Sequence, residues 1–318
     1  MVILLLQDGK PGHENQAFAL LEALQERLPL VVHPIAVPAR RGALVRLVGA
    51  WMQARRLPRP DLVIGAGHAT HVALLLLAAL ARVPSLVLMR PSLPLQWFSK
   101  VVAPSHDVVG RRSSARVIET WGPLCRHGVS PGGTAACTPS TLVLLGGPSK
   151  HHHWDPASLE MNLAALLAAE ADPSGWCLVT SRRTPAGALE RLARALDLQP
   201  EQLMPWQHCP AGWLAAALAR RPQVWVTEDS MSMLFEALSA GARVGLLPVP
   251  RRRRQTRLQA ALDRLVSEGY VLPMAAWQPG RSLPVPPREL RESDRVADLL
   301  IPWLRALGVG GAASRVPS

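Results

Sequence analysis

Val2-Ile3-Leu4-Leu5-Leu6 runs straight into Gln7-Asp8-Gly9-Lys10-Pro11-Gly12-His13-Glu14-Asn15-Gln16, and this junction decides the fold. An unbroken apolar run of this length fits a strand buried on both faces, as in a parallel sheet. A strand that ends in a glycine turn and then opens a helix presents backbone N–H groups and a positive helix end, which suits an anion. The second half repeats the arrangement, with Thr141-Leu142-Val143-Leu144-Leu145 entering Gly146-Gly147-Pro148-Ser149-Lys150-His151. The repetition predicts two nucleotide-binding-like domains facing one another across a cleft.

Outward from these junctions, strand-like runs alternate with helical patterns. Spacing at Phe18, Leu21, Leu24 and Leu28 predicts a helix over 16–27, between the first strand and a second over 30–37. A third strand over 61–65 leads through Ala66-Gly67-His68-Ala69-Thr70 into a helix from Val72, and short strands follow over 85–89 and 100–103. The small-residue stretch 128–134 reads as a linker. Beyond it come strands over 142–145, 176–180, 203–206, 224–227 and 244–248, with helices over 157–171, 186–196, 212–219 and 232–240. The tail has helical spacing at Leu290, Val296, Leu299, Leu300, Trp303 and Leu304. The reading is α/β: two Rossmann-like doubly wound domains, 1–136 on the acceptor side and 137–318 binding a nucleotide-sugar and carrying the terminal helix. Ligands belong at the carboxyl ends of the strands.

Bulk properties bound the function. A chain of 318 residues has room for two cores, and 48% hydrophobic with 18% charged residues is globular in character. A net charge of +12 favours anionic partners: nucleotide diphosphates, nucleic acid or an acidic membrane surface, or else simply a solvated excess of arginine. Nucleic acid is disfavoured, because no helix-turn-helix, zinc-finger or RNA-recognition signature is visible and the Arg251–Arg254 run lacks stacking aromatics. Cys125, Cys137, Cys177 and Cys209 lie far apart without CxxC spacing, and no secretory signal is evident. The expectation is a reduced, cytoplasmic chain, peripheral on the inner face of a membrane if its acceptor is lipid-linked.

The most specific segment is Val224-Trp225-Val226-Thr227-Glu228-Asp229-Ser230-Met231-Ser232-Met233-Leu234-Phe235-Glu236. A buried strand ends in small polar residues that open a helix, so Asp229 or Ser230 can cap it, or its N–H groups can hold a phosphate. Glu236, just over a turn beyond Ser232, could accept hydrogens from a ribose diol; ordinary capping with a solvated glutamate explains the pattern equally well. Gly146, Gly147, Ser149 and Lys150 form a candidate diphosphate loop, although it lacks both GxGxxG and the Walker pattern. Arg182 and Arg183 follow a strand at the same topological place and could fork onto phosphates, or cap the strand end. His151-His152-His153 invites a metal reading, but consecutive histidines diverge, and no metal is assigned. In the first half His13 is the candidate general base or else a structural loop histidine, and Asp8, His68, His106 and Asp107 are further candidates at similar strand ends. No hydrolase nucleophile motif is present.

Taken together, Asp8-Gly9-Lys10-Pro11-Gly12-His13-Glu14-Asn15-Gln16, Gly146 through His151, Ser181-Arg182-Arg183-Thr184-Pro185 and Thr227-Glu228-Asp229-Ser230-x-Ser232-Met233 resemble the "elongated mitochondria" mitochondrial-fission family. The match spans most of the chain in the right order. Bacterial members of that family carry glycosyltransferase or nucleoside-diphosphate-sugar epimerase labels. The second half also resembles the donor domain of GT-B glycosyltransferases, especially the enzyme that adds N-acetylglucosamine to lipid-linked muramyl-pentapeptide. That resemblance implies diphosphate contacts for Gly146, Gly147, Ser149, Asp229, Ser230 and Ser232, and a ribose contact for Glu236. It likens Gly12-His13 to a glycine loop ending in a histidine. It departs at Glu228-Asp229-Ser230, where the transferase turn is richer in glycine, and at Lys10-Pro11, which replace small residues.

The resulting expectation is a metal-independent glycosyltransferase that needs no cofactor beyond its nucleotide-sugar substrate. The donor is a nucleotide-diphosphate sugar, and the acceptor hydroxyl is deprotonated by His13. A nucleotide-sugar epimerase and a non-catalytic interaction protein on the same scaffold are the alternatives.

Overall fold

A computed structural model describes residues 1–37, 42–108, 115–126, 139–170, 173–210, 212–220, 222–252 and 257–307. The expected linker, the 136/137 boundary, Cys137, Arg253 and Arg254 lie outside the described residues. The chain divides into two units, Met1–Arg126 with Arg291–Ser318, and His127–Leu290.

In the first unit, β1 (Val2–Gln7), β2 (Val31–Ala36), β3 (Leu62–Ala66), β4 (Ser85–Leu88), β5 (Lys100–Pro104) and β6 (Val117–Thr120) form one sheet in the order β2-β1-β3-β4-β5-β6. Every pairing is parallel. The pleat sends alternate residues of β1 to opposite faces. Ile3 and Leu5 join one core with Leu20 and Leu24 of α1 (Pro11–Gln25), whereas Leu4 and Leu6 join another with Leu74 and Leu77 of α3 (His71–Ala81). That second core also takes Ala50 of α2 (Ala43–Ala54), and α4 (Ser105–Val108) follows β5 directly. α2 and β6 are additional to the elements expected from the sequence.

The helix α1 starts earlier than the apolar spacing suggests. Pro11 occupies its first turn, with φ preset for a helix and no N–H to strand, and Glu14 Oε1 accepts from the Gly9 N–H at 3.1 Å. The polar turn is therefore only Asp8-Gly9-Lys10, and Gly12 and His13 are helical.

The second unit holds β7 (Thr141–Leu145), β8 (Trp176–Thr180), β9 (Leu203–Met204), β10 (Gln223–Thr227), β11 (Arg243–Leu247) and β12 (Val271–Pro273) in the order β12-β11-β10-β7-β8-β9, again all parallel. Read from its own first strand this is the 3-2-1-4-5-6 order of dinucleotide-binding sheets. Its helices are α5 (Pro156–Ala168), α6 (Ala188–Leu196), α7 (Trp213–Leu218), α8 (Met231–Ser239) and α9 (Arg257–Ser267). Leu159, Leu163 and Leu166 of α5 pack on Val143, Leu145, Leu178 and Trp225 of the sheet. α9 and β12 are additional to the elements expected from the sequence.

The terminal helix α10 (Glu292–Ala306) corrects the expected domain division. Sequence proximity assigns it to the second domain, yet Val296, Ala297, Leu300, Ile301 and Leu304 are buried in the core shared with α1 of the first unit. Arg27 reinforces the docking through Asp298 at 2.7 Å and Asp294 at 3.2 Å. Buried Glu292 accepts from the Trp121 N–H at 2.9 Å.

Candidate functional site

In an open parallel sheet a ligand site forms where the strand order reverses, because the loops leaving the two neighbouring strands diverge there. In the first unit that point lies between β1 and β3. The loop after β1 supplies Asp8 and that after β3 supplies Gly67 and His68. In the second unit it lies between β7 and β10, whose loops supply Gly146-Gly147 and Glu228-Asp229-Ser230.

The Asp8 side chain is fully buried. Its Oδ1 accepts from the Lys10 N–H at 3.1 Å, and its Oδ2 lies 2.8 Å from Nδ1 of His13, whose side chain keeps 18% of its surface exposed. A carboxylate can only accept, so Nδ1 carries the proton and Nε2 is left as the basic nitrogen. The adjacent turn leaves room for this pair only because residue 67 is glycine. Gly67 has φ +89°, and a Cβ there would lie 2.2 Å from His13 Nδ1 and 2.5 Å from Asp8 Oδ2. Thr70 Oγ1 donates to the Gly67 carbonyl at 2.8 Å and holds the turn.

His13 opens onto a cavity of about 800 Å³ whose other polar lining includes His68, Arg90, Ser92, Gln96 and Asp107. Met89, at the cavity edge, has φ +69°, a conformation that costs a side chain about 1–2 kcal/mol. Behind the wall His71 is buried, and its Nδ1 accepts from the Ser92 N–H at 3.2 Å. Burial, then the neighbouring His68 and His13, push its pKa down to about 4, so this imidazole is neutral. Of the expected strand-end residues, His13, His68 and Asp107 therefore line one cavity with Asp8 behind His13, whereas His106 is not among its lining residues.

The second unit's loop differs from a simple phosphate cradle. Gly146 and Gly147 are both buried, and their N–H groups are taken by Thr227 Oγ1 at 2.8 Å and Asp229 Oδ2 at 2.9 Å. Neither amide is left to meet a diphosphate. Arg183 closes the cluster, with Nη2 at 2.7 Å from Asp229 Oδ2 and Nη1 donating to the Gly147 carbonyl at 2.9 Å. Side chains are excluded at both glycines. A Cβ on Gly146 would lie 2.2 Å from Asp229 Oδ2, and one on Gly147 would lie 2.0 Å from the Arg183 carbonyl.

Ser149 is likewise engaged internally, its Oγ accepting from the N–H groups of His151 at 3.1 Å and His152 at 3.0 Å. The loop does not open the next helix directly either, because Asp155 caps α5 by accepting from Ala157 and Ser158. Arg182 turns away to stand over the Trp206 ring at 5.8 Å, and Lys150 is exposed. His152 is buried and pairs with Arg251 in a short antiparallel bridge. Among the described residues no group of three or more His, Cys, Asp or Glu could hold a metal ion. Arg251 meets Glu228 Oε2 at 2.8 Å, and Arg252 donates to the carbonyls of Ser149 and His152. The arginine run is thus partly built into the loop rather than held out to a surface.

The helix start after β10 remains open. Ser230, at the N-cap of α8, makes no capping side-chain bond. Among the described residues nothing accepts from the N–H groups of residues 231–233. Ser232 is exposed beside them. These amides and the helix dipole favour an anion. On the same helix half-buried Glu236 has its carboxyl pushed up to about 7 by burial. Gly67, Ser181 and Thr184 lie in the motifs quoted from the sequence but carry no expected role there; the last two hold the Gly146 carbonyl and the turn after β8. Two glycines at one strand end, Gly65 and Gly67, were the available signal for the first.

Two all-parallel Rossmann-like units in one chain, each with its polar loops at the reversal of strand order, make this a protein of the GT-B fold class. Similar solved structures include the UDP-GlcNAc 2-epimerase from Methanocaldococcus jannaschii, at 9% identity and TM-score 0.57 over 95% of this chain and 99% of that one. A protein assigned as a UDP-N-acetylglucosamine 2-epimerase from Listeria monocytogenes matches at 12% identity and TM-score 0.56, covering 98% and 91%. MurG from Acinetobacter baumannii matches at 14% identity and TM-score 0.50, covering 96% and 94%. The chain belongs to the Mitochondrial fission ELM1 family, which matches residues 11–304. No curated protein matches it in sequence. No helix among the described residues is long and apolar enough to cross a membrane.

Proposed function

We propose that the chain is a glycosyltransferase that moves a sugar from a nucleotide diphosphate to an acceptor hydroxyl. The observation that carries this reading is the Asp8–His13 pair, aimed into a polar cavity at the strand-order reversal of the first unit. His13 Nε2 takes the proton from the acceptor hydroxyl as its oxygen attacks the anomeric carbon. Asp8 holds the ring in the required tautomer and stabilises the imidazolium that forms. The bond to the nucleotide diphosphate breaks, and His13 later returns its proton to water.

In the second unit the α8 N-terminus and Ser232 receive the diphosphate, while the Gly146-Gly147-Asp229-Arg183 cluster gives that helix start its shape. Ser230 stands at its N-cap, Lys150 and Ser149 border the loop, and Glu236 is assigned to the ribose. Positive helix ends and cations stabilise the leaving group without requiring a metal. Names of the similar structures make UDP-N-acetylglucosamine the first donor to test.

The experiment is a thermal-shift screen of nucleoside diphosphates and their sugars, followed by assays of sugar transfer. Stabilisation by one nucleotide series, with turnover lost in His13→Ala at unchanged donor affinity, supports the reading. Deuterium entering the sugar from heavy water without an acceptor would replace transfer by epimerisation. No stabilisation by any nucleotide at millimolar concentration would point to an interaction protein on the same fold.

A further inference from the structure

The first unit shows apolar side chains that its core does not use. On α2, Leu47, Ala50 and Ala54 turn toward the sheet, while Leu44, Val45, Val48, Trp51 and Met52 form a second apolar stripe facing outward. Leu44 is 73% exposed and Val48 51%. The neighbouring α3 adds Val72, Leu76 and Leu80 at four-residue spacing along its outer face, with Leu80 60% exposed. A helix apolar on both sides needs cover on both.

The charge around this face has one sign. The α2–α3 stretch, residues 42–82, holds five basic residues, Arg46, Arg55, Arg56, Arg59 and Arg82, and one acidic residue, Asp61, whose carboxylate accepts from the Val2 N–H at 2.7 Å. Arg55 stands over the Trp51 ring at 5.0 Å. Arg55, Arg56, Arg59 and Arg82 are exposed, and among the described residues none has a carboxylate partner. A second copy of this face would oppose arginine to arginine, and an acidic protein alone would leave the aliphatic stripe uncovered. One partner supplies both negative charge and a hydrocarbon layer.

We propose that the α2–α3 face docks on an anionic lipid bilayer. Leu44, Val48, Trp51 and Leu80 enter the headgroup–acyl boundary while Arg55, Arg56 and Arg59 meet lipid phosphates. The proposal is independent of sugar transfer and stands or falls without it.

Flotation of the full chain with vesicles tests it. Vesicles of phosphatidylcholine with phosphatidylglycerol should carry the protein up the gradient, neutral phosphatidylcholine vesicles should not, and added salt should weaken binding. The double variant Arg55→Gln/Arg56→Gln and the triple variant Leu44→Ser/Val48→Ser/Trp51→Ser should each lower partitioning by roughly tenfold or more. Because these side chains are exposed, melting temperatures should stay at the parent value and separate lost docking from lost fold. Absence of binding to anionic vesicles overturns the proposal, as does binding that both variants leave intact. A dimer in solution, dissociated by the serine substitutions and indifferent to lipid, would assign the face to a second copy instead.

Discussion

Gly67 and His13 approach so closely that a methyl group on residue 67 would sit 2.2 Å from Nδ1 of the imidazole. The turn after β3 is therefore a wall of the histidine site, and the ring orientation is set by packing as well as by Asp8. For the proposed sugar transfer, this ring is held in one orientation before any substrate arrives.

Gly67→Ala tests that wall. The φ of +89° disfavours any side chain, and the added carbon collides with both members of the pair. A displacement of about 1 Å at a catalytic group can cost about 10²-fold, and sugar transfer should fall by about that much or more. Donor affinity, which the proposal assigns to the second unit, should stay unchanged. Steady-state kinetics beside a nucleotide-binding isotherm would show the split, and full turnover in the variant would remove His13 from the proposed role.

Asp8→Asn keeps the size of the side chain but offers an amide N–H where the imidazole proton now points. The ring then loses its reason to hold the proton on Nδ1. Turnover should drop by about 10²–10⁴-fold with little change in thermal stability. A variant as active as the parent would leave Asp8 a purely structural residue.

Asp229→Ala removes one acceptor from two donors, the Gly147 N–H and the Arg183 guanidinium. A buried donor left without a partner costs about 1–3 kcal/mol, so the midpoint of urea unfolding should move down accordingly. The loop before α8 loosens as well, and nucleotide affinity should weaken. An unchanged urea midpoint would mean that the cluster contributes nothing to stability.

Half-buried Glu236 and buried His71 give the two units opposite responses to pH. Folded Glu236 keeps its proton up to about pH 7, against an ordinary value of 4.5. Folding therefore binds a proton in that window, and its stability contribution, full below 4.5, is lost as pH rises through 7, at no more than about 1.4 kcal/mol per pH unit. Folded His71 accepts a proton only near pH 4, against 6.5 when unfolded, so its contribution is full above 6.5 and is lost as pH falls toward 4. Glu236→Gln should stabilise the protein at pH 8 and flatten the alkaline side of the profile. His71→Asn, which keeps an acceptor for Ser92, should flatten the acid side. Urea titrations at several pH values would read both, and parallel profiles in parent and variants would reject both assignments.

The strands were the legible part of the fold. β1, β3, β7, β8, β10 and β11 are buried on both faces and read as unbroken apolar runs, so strand and loop could be placed from residues alone. α2 escaped because its apolar residues lie on two faces, which blurs the period that marks a one-sided helix. β6 and β12 are edge strands of four and three residues, too short for a pattern. The candidate site was legible as positions and less so as chemistry. Asp8, His13, Gly147, Arg183 and Asp229 were all singled out, but nothing local says that Asp229 would turn inward to the Gly147 N–H. That bond joins residues 82 apart and depends on β7 lying beside β10.

The placement of α10 reaches back to how this protein is made. Part of the hydrophobic interior beneath α1 comes from Val296, Leu300 and Leu304, which leave the ribosome only after the whole second unit. The amino-terminal lobe cannot finish assembling while the segment after it is still being synthesised. A nascent chain stopped at Leu290 would carry a complete second lobe beside an unfinished first one with bare leucines along α1. A truncation meant to trim the carboxyl end would thus damage the lobe that begins at Met1.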